Sequence, residues 1–293
     1  GKPIRLEISS GDVRWLKQSN IKFDDNAEGP CIQVTEKVIA EPKSNLVLHP
    51  PVLALGVGCE RNCDPEELEN LVRETLKDAG LSASSISCVA SLDLKMDELA
   101  VNELAASLGV PARFFSAKEL EALTPYLDNP SETVFDAVGC HGVSEGAAIA
   151  AAGSKATLRV GKHRSLRATC AIAINPEGII GNQVGRGRGH LSIIGIGPGA
   201  DGWRTPEATA LLSAASDLVG YSLYLDLVGD FIVGKNRHVS ELAQEEERVR
   251  RALDLAAKGR NVALVCSGDA GIYALATLAF ELIDRENKTE WNR

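Results

Sequence analysis

The sequence predicts an α/β protein with two consecutive domains, each built on a mostly parallel sheet flanked by helices. Three observations indicate this. Short apolar runs alternate with helical segments from Val52 to the end of the chain, as in βαβ units. Glycine-rich bends at residues 195–199 and 268–271 each follow an apolar run and precede a helical segment. The length of 293 residues suits about two domains.

Composition and charge argue against several classes of protein. The net charge of −9 disfavours nucleic acid as the main partner. No apolar run approaches the length that spans a bilayer, and the first residues lack the apolar core of a signal peptide. Seven scattered cysteines do not form a disulfide framework, which predicts a reducing, cytoplasmic location. The polar C-terminal end and the weakly patterned first fifty residues indicate a piece of a longer protein.

Residues 1–50 carry the weakest pattern. Apolar residues at Leu6 and Ile8, at 13–16 and at 31–39 favour a few strands. Prolines at positions 42, 50 and 51 mark a boundary, and His49 beside them is interpreted as a linker residue rather than a ligand.

The pattern sharpens from Val52 onwards. Asp64 is a candidate N-cap with Pro65 in the first turn, and Gly80 ends that helix. The predicted strands of this domain cover 52–58, 86–92, 112–115 and 168–174, and its other predicted helices cover 97–108, 116–123, 131–138 and 143–151.

Cys59 and Cys63 are the one pair of cysteines at a spacing that could suit a metal. A structural zinc site needs four ligands, and no second pair matches this one. Position 66 is Glu66, so the three-cysteine spacing of a radical iron–sulfur enzyme is absent as well. The sequence therefore predicts loop thiols and no metal site.

Two groups of charged residues could carry chemistry. Asp93, Lys95 and Asp97 follow a predicted strand and would share one face if the strand continued. A carboxylate beside a lysine can act as a base and an oxyanion stabiliser, but Asp97 could equally cap the next helix. Glu145 lies in the first turn of a helix after His141, where it suits either the helix dipole or a general base.

The motifs VGCERNC, DPEEL, SLDLKMDE, RFFSAKEL and GVSEGAA occur in this order between about Val52 and Asn175. Together they resemble the carboxyl-terminal domain of cobalt-precorrin-5A hydrolase, an enzyme of cobalamin biosynthesis. The resemblance implies a domain at 51–175, preceded at 1–50 by a remnant of that family's central domain. It also implies opening of a corrinoid δ-lactone with release of acetaldehyde. The catalytic candidates that it favours are Asp93, Lys95, Glu98 and Glu145.

Basic residues flank the last predicted strand of this domain. Lys162, His163, Arg164 and Arg167 precede it and would suit either a carboxylate-rich ligand or solvent. The glycine-rich segment 176–190 follows it and contains Arg186, Arg188 and His190, which could contact tetrapyrrole carboxylates. We interpret this segment as a solvated linker.

The last part of the chain repeats the α/β alternation. Predicted strands cover 191–196, 217–221 and 261–266, an apolar piece covers 231–233, and predicted helices cover 206–214, 241–258 and 272–283. Bends that follow neighbouring parallel strands lie at the same edge of a sheet, so the two glycine-rich bends could frame one ligand.

The motifs GIGPGADG with TPEA, DLVGYSLYLDLV and SGDAGIYALA resemble the tetrapyrrole methyltransferases that use S-adenosyl-L-methionine, and most closely the precorrin-3B C-17 branch. The second bend reads Gly-Asp-Ala where the wider family usually has Gly-Asp-Pro. The resemblance implies an incomplete tetrapyrrole methylase fold at 191–293, a precorrin or cobalt-precorrin substrate and a possible homodimer. The cofactor-binding candidates that it implies are Gly197, Pro198, Gly199, Gly268, Asp269, Gly271, Ile272 and Tyr273.

Both resemblances indicate one pathway. We therefore interpret the chain as a fusion of a precorrin-5A hydrolase-type domain with the start of a C-17 methyltransferase. A non-catalytic corrinoid-binding scaffold is the alternative. A generic dinucleotide-binding protein is a weaker third hypothesis, because Asp217 is poorly placed as the acidic residue that such a site needs.

Overall fold

The computed structural model describes residues 3–27, 29–39, 46–271, 275–288 and 290–291. The chain divides into two compact units, Gly1–Arg186 and Gly187–Arg293, which are called unit 1 and unit 2 below. Within the described residues, no helix combines the length and apolar character that crossing a membrane requires.

The start of unit 1 forms a small parallel sheet. Its strands are β1 (Arg5–Ile8), β2 (Cys31–Val34) and β3 (Leu46–Leu48), in that spatial order. The strand predicted around 13–16 is wrong, because Arg14–Lys17 forms the short helix α1. The Asp12 carboxylate accepts a hydrogen bond from the Arg14 backbone N–H at 2.9 Å, which starts this turn.

The main sheet of unit 1 has five strands in the order β6-β5-β4-β8-β7. The strands are β4 (Leu53–Cys59), β5 (Ile86–Leu92), β6 (Ala112–Phe115), β7 (Thr157–Arg164) and β8 (Ala168–Ile174). Strands β4, β5 and β6 are parallel, as predicted, whereas β8 runs antiparallel to β4 and β7 antiparallel to β8. Strand β7 was not predicted, because its charged outer positions hide the alternation of an edge strand.

Helices cover both faces of this sheet. They are α2 (Pro65–Asp78), α3 (Leu99–Ser107), α4 (Ala117–Glu121), α5 (Glu132–Val138) and α6 (Val143–Ala152). The predicted cap of α2 is confirmed, since Asp64 accepts a hydrogen bond from the Glu66 N–H at 3.0 Å. Leu68 and Val101 are buried in the core on one side of the sheet, and Ala147 and Ala151 in the core on the other side.

Part of the predicted linker belongs to unit 1, which corrects that prediction. Phe114 and Arg186 exchange two backbone hydrogen bonds, at 2.7 and 2.9 Å. A Cβ on Gly181 would lie 2.1 Å from the carbonyl oxygen of Ser87, so the backbone there packs directly on β5. Residues 181–186 therefore lie against the sheet, and the glycines permit that close approach.

Unit 2 contains a four-stranded, fully parallel sheet in the order β11-β10-β12-β9. The strands are β9 (His190–Gly195), β10 (Asp217–Tyr221), β11 (Asn236–Ser240) and β12 (Asn261–Cys266). The helices are α7 (Pro206–Ala214), α8 (Ser222–Leu227), α9 (Glu245–Ala257) and α10 (Leu275–Glu286). The sequence analysis did not predict β11, because its residues are mostly polar and it lies at the edge of the sheet.

Gly56 provides a test of the packing in unit 1. A Cβ at this position in β4 would lie 1.9 Å from the Ser144 carbonyl oxygen and 2.5 Å from the Ala148 nitrogen, both in α6. We expect Gly56→Ala to lower the free energy of unfolding by about 3 kcal/mol, because the backbone of α6 must move. Urea denaturation followed by circular dichroism measures this change. Gly29→Ala is the control, since a Cβ there meets no atom within 4 Å, and equal stability losses in both variants would contradict the packing.

Candidate functional site

The two glycine-rich bends of unit 2 are hydrogen-bonded to each other. They follow β9 and β12, which are neighbours in the sheet. The Gly197 N–H donates to the Gly268 carbonyl oxygen at 3.2 Å, and the Gly268 N–H donates to the Gly197 carbonyl oxygen at 2.9 Å. The expectation that both bends lie at one edge of the sheet is confirmed.

Glycine is required in these bends for two physical reasons. Gly197 and Gly268 have φ angles of +60° and +66°, a region that strongly favours glycine. A Cβ on Gly195 would lie 2.3 Å from the Gly268 carbonyl oxygen and 2.8 Å from the Ala270 nitrogen. Any side chain at position 195 would therefore push the two bends apart.

A cavity of about 570 Å³ opens beside the bends and is called the bend cavity below. Trp203 lies on its wall and is three-quarters exposed, so it presents an aromatic face. The Thr205 side chain caps α7 by accepting a hydrogen bond from the Ala208 N–H at 3.1 Å. The cavity is lined by Ile193, Ile194, Gly195, Gly197, Trp203, Thr205, Glu207, Ala208, Leu211, Gly268, Asp269 and Ala270.

The predicted cofactor residues divide into three groups. Gly197, Gly268 and Asp269 line the bend cavity. Pro198, Gly199 and Gly271 belong to the same bends; the Gly271 N–H donates to Asp269 Oδ1 at 2.7 Å. Ile272 and Tyr273 lie outside the described residues.

Gly195 begins the predicted first bend but was not among the cofactor-binding candidates, and Trp203 was not predicted as a site residue. The clash at Gly195 depends on the neighbouring strand, so no local pattern could reveal it. Trp203 lies between the first bend and the Thr205 cap, and a large aromatic residue beside a glycine-rich bend is the signal in the sequence that could have suggested a wall residue.

Asp217 lies at the opposite end of the unit 2 sheet from the bends. Its buried carboxylate accepts hydrogen bonds from His238 Nε2 at 2.8 Å and from Arg260 Nε at 2.8 Å. Burial tends to raise its pKa, but the hydrogen bonds from Arg260 and His238 outweigh this and lower the pKa. Asp217 therefore joins strands at the amino edge of the sheet, which disfavours a ribose-binding role.

Unit 1 contains a second cavity, of about 740 Å³, which is called the basic cavity below. It opens at the carboxyl ends of β4 and β5, beside the first turn of α6 and the turn between β7 and β8. It is lined by Gly58, Cys59, Glu60, Leu92, Lys95, Thr133, Val134, Ala137, Val138, Gly142, Val143, Ser144, Lys162, Arg164, Ser165, Leu166, Arg167, Ala168 and Thr169.

The strand before Asp93 does not continue to Asp97, so the condition for a shared face is not met. Strand β5 ends at Leu92, and Asp93–Lys95 forms a 3₁₀ turn, so these residues do not share a strand face. Asp97 is also not the cap of the next helix, since the cap position is Glu98. Lys95 alone among the four catalytic candidates lines the basic cavity within the described residues.

Glu98 is a buried carboxylate between two cations. Its side chain is 3% exposed, and its Oε2 atom lies 3.5 Å from Arg61 Nη1 and 3.6 Å from Lys95 Nζ. These distances exceed a hydrogen bond, and Oε2 has no hydrogen-bond partner among the described residues. Arg61 Nη1 also lies 2.6 Å from Asp97 Oδ1. The four side chains form one ionic cluster with Lys95 on its cavity side.

Asp93 and Glu145 occupy different surroundings. The Asp93 carboxylate accepts a hydrogen bond from Arg186 Nη2 at 2.8 Å. Glu145 is 1% exposed and accepts three hydrogen bonds, from Asn129 N at 3.0 Å, Asn129 Nδ2 at 2.8 Å and Lys162 N at 2.8 Å. Burial favours a higher pKa for Glu145, but these hydrogen bonds outweigh it and lower the pKa. The carboxylate thus ties α6 to β7 and to the loop before α5.

All seven cysteines are free thiols. Burial raises the pKa of Cys59 to about 12 and raises the pKa of Cys63 as well, so both remain protonated at neutral pH. Among the residues with described positions, no three His, Cys, Asp or Glu side chains are grouped as a metal site requires.

The geometry thus defines a two-unit α/β protein with a cavity at the strand ends of each main sheet. Residues 53–173 match the family model described as "Cobalamin synthesis G C-terminus", and residues 190–291 match "Tetrapyrrole (Corrin/Porphyrin) Methylases". The chain belongs to the first family over residues 53–173 and continues into a tetrapyrrole methylase domain. The suspected fusion of two cobalamin-biosynthesis domains is confirmed.

Three known proteins are each similar to part of this chain. The chain is 47% identical over 121 residues to "Protein CobE" of a Sinorhizobium species, covering 41% of this chain and 79% of that protein. It is 33% identical over 141 residues to the "Cobalt-precorrin-5A hydrolase" of Priestia megaterium, covering 48% of this chain and 36% of that protein. It is 46% identical over 96 residues to the "Probable cobalt-factor III C(17)-methyltransferase" of Salmonella typhimurium, covering 33% of this chain and 40% of that protein. The chain therefore spans less than half the length of the Priestia megaterium hydrolase and of the Salmonella typhimurium methyltransferase.

Substitution of Glu145 tests its anchoring geometry. In Glu145→Gln, the new amide N–H₂ must face donors on Asn129 or Lys162, so we expect the free energy of unfolding to fall by about 1–3 kcal/mol at neutral pH. The carboxylate contributes stability above its ordinary pKa of 4.5, and this contribution is lost as the pH falls through the lower folded-state pKa. The variant should therefore lose less stability than the unmodified chain on acidification below pH 4.5.

Urea denaturation at a series of pH values measures both effects. Glu103→Gln, an exposed glutamate on α3, is the matched control and should leave the curve unchanged. Identical pH profiles for Glu145→Gln and Glu103→Gln would show that the three hydrogen bonds do not stabilise the fold.

Proposed function

We propose that this chain serves corrin-ring synthesis through two linked activities. Unit 2 contributes to S-adenosyl-L-methionine-dependent methylation of precorrin-3B, or its cobalt counterpart, at C-17 with ring contraction. Unit 1 contributes hydrolase-type opening of a corrinoid lactone. The reciprocal hydrogen bonds between Gly197 and Gly268 carry the first part of this proposal, because they join both motif bends into one wall of closely packed backbone.

The residues of the bend cavity fit S-adenosyl-L-methionine. Gly197, Gly268 and Asp269 would hold it, assisted by Pro198, Gly199 and Gly271 in the same bends. Carbonyl oxygens and the Asp269 carboxylate suit a ligand with cationic sulfonium and ammonium groups. When bound, this cofactor supplies an electrophilic methyl group. Ile272 and Tyr273 remain candidates through the family resemblance.

Methyl transfer to a ring carbon depends mainly on positioning. It is a displacement in which orientation of the two reactants lowers the barrier more than a strong acid or base does. The bends contribute a rigid backbone wall, and Trp203 offers a flat surface for packing. Together these residues would orient a ligand and exclude water.

In unit 1, we assign contact with the substrate to Lys95 and supporting roles to the other candidates. Lactone opening adds water: its oxygen bonds to the carbonyl carbon, the ring C–O bond breaks, and the departing oxygen takes a proton. The Lys95 ammonium can stabilise negative charge that develops on the carbonyl oxygen. Glu98 positions Lys95 from 3.6 Å. Asp93 holds the Arg186 side chain, and Glu145 holds the Lys162 backbone N–H.

Further expectations come from the family and the thiols. A precorrin or cobalt-precorrin is the expected substrate, and a homodimer is typical of the methyltransferases that unit 2 resembles. Seven free thiols favour the cytoplasm. A second candidate function is a corrinoid-binding scaffold without turnover, which the basic lining of the unit 1 cavity favours.

Titration with S-adenosylhomocysteine tests the cofactor assignment. We expect isothermal titration calorimetry to show binding to the unmodified chain and at least tenfold weaker binding to Gly195→Ala. The added methyl group would lie 2.3 Å from the Gly268 carbonyl oxygen and would separate the bends.

Gly202→Ala is the matched control in the same loop, because a Cβ there meets no atom within 4 Å. It should bind as the unmodified chain does. Absence of binding to the unmodified chain, or undiminished binding to a folded Gly195→Ala variant, would refute the cofactor assignment. Binding of a corrinoid without S-adenosylhomocysteine would instead support the scaffold.

A further inference from the structure

The basic cavity of unit 1 contains more positive than negative side chains. Four cationic residues line it: Lys95, Lys162, Arg164 and Arg167. Glu60 is the single acidic residue in its lining, within the part of the chain that the structure describes. In a protein with a net charge of −9, this concentration of positive charge is local.

The contacts of these cations differ. Each nitrogen of the Arg167 guanidinium donates one hydrogen bond: to Glu60 Oε2 at 3.0 Å, to the Asn62 carbonyl oxygen at 3.2 Å and to the Arg61 carbonyl oxygen at 2.8 Å. Arg167 therefore fixes the loop after β4 and has little capacity left for a ligand.

The contacts of Arg164 differ from those of Arg167. It is exposed at the cavity, and no hydrogen bond or ion pair engages its guanidinium among the described residues. Lys162 lies two positions earlier on β7 and also lines the cavity; its Nζ donates one hydrogen bond, to the Asn129 carbonyl oxygen at 3.1 Å. The buried Glu145 carboxylate holds the Lys162 N–H and so fixes this part of β7. A cation without a partner on an anchored strand is preorganised to bind an anion.

The remaining wall is largely apolar. Leu92, Val134, Val138 and Val143 line it, and Leu166 at the turn between β7 and β8 is 90% exposed. An exposed leucine beside cationic side chains suits a ligand with an apolar skeleton and anionic substituents.

We propose that Arg164, assisted by Lys162 and Lys95, selects a carboxylate of the ligand over the corresponding amide, while Leu166 covers the apolar skeleton. A carboxylate accepts two parallel N–H bonds from a guanidinium and gains from its charge, whereas a neutral amide offers one acceptor oxygen and no charge. The identity of the ligand as a corrin rests on the proposed function.

Two corrins that differ in these substituents provide the test. We use dicyanocobyrinic acid, which carries carboxylates, and dicyanocobinamide, in which they are amides, and titrate each into the whole chain by absorbance. We expect the acid to bind at least tenfold more tightly, with a preference that falls as salt rises. Arg164→Gln should weaken binding of the acid at least tenfold, because the charge-assisted pair between the guanidinium and the carboxylate is lost, and should leave binding of the amide unchanged.

Arg159→Gln is the matched control, because Arg159 is exposed on the same strand and is not among the residues that line the cavity. It should bind both corrins as the unmodified chain does. Leu166→Asn should weaken both corrins by the same factor, since an apolar contact does not distinguish acid from amide. Melting curves establish that each variant is folded.

Equal affinity of the unmodified chain for both corrins, or equal effects of Arg164→Gln and Arg159→Gln, would overturn the proposal. Failure to bind either corrin would also overturn it, while retained S-adenosylhomocysteine binding would leave the cofactor assignment intact. Conversely, acid selection by Arg164 without S-adenosylhomocysteine binding would support this site and refute the proposed cofactor.

Discussion

The close approach of two backbone bends is the constraint on which unit 2 depends. Gly197 and Gly268 exchange two hydrogen bonds because their strands, β9 and β12, are adjacent and end at the same edge. The exchange leaves no room for a side chain at Gly195. A cavity wall made largely of backbone follows directly. In the proposed function, this wall would position the ligand by its shape and its peptide dipoles rather than by a catalytic acid or base.

Unit 1 builds its site from charge instead. Strand β4 packs against α6 so closely that Gly56 has no space for a Cβ, which places the first turn of α6 beside the basic cavity. The buried carboxylates Glu98 and Glu145 do not line the cavity themselves but contact residues that do. Glu98 lies beside the Lys95 ammonium, and Glu145 accepts a hydrogen bond from the Lys162 backbone N–H. Buried acidic groups in this unit thus orient the basic groups that face the cavity.

Sequence patterns predicted the strands and the helix start that depend on residues near one another in the chain. Apolar runs predicted β4, β5, β6, β8, β9, β10 and β12, and the Asp64-Pro65 signal predicted the start of α2. The edge strands β7 and β11 were missed because their residues are polar or charged. The 3₁₀ turn at Asp93 depends on where β5 ends, whereas the turn at Arg14 has a local cause, the Asp12 carboxylate two residues earlier. Motifs likewise identified Gly197 and Gly268, whereas Trp203 became a candidate only from the structure. The sequence left Arg164 open between a carboxylate-rich ligand and solvent, and the cavity that it lines favours the ligand. Glu145 was recognised as a special residue, but its three hydrogen bonds involve partners distant in sequence.

The central claim is that the joined bends of unit 2 form the surface that binds the methyl donor. Backbone amide chemical shifts, followed by NMR while S-adenosylhomocysteine is added to the chain, test it most directly. The account predicts that the largest shifts occur at residues 195–199 and 268–271, with little change at the amino edge around Asp217 and His238. Shifts centred on that amino edge, or spread evenly over unit 2, would contradict it.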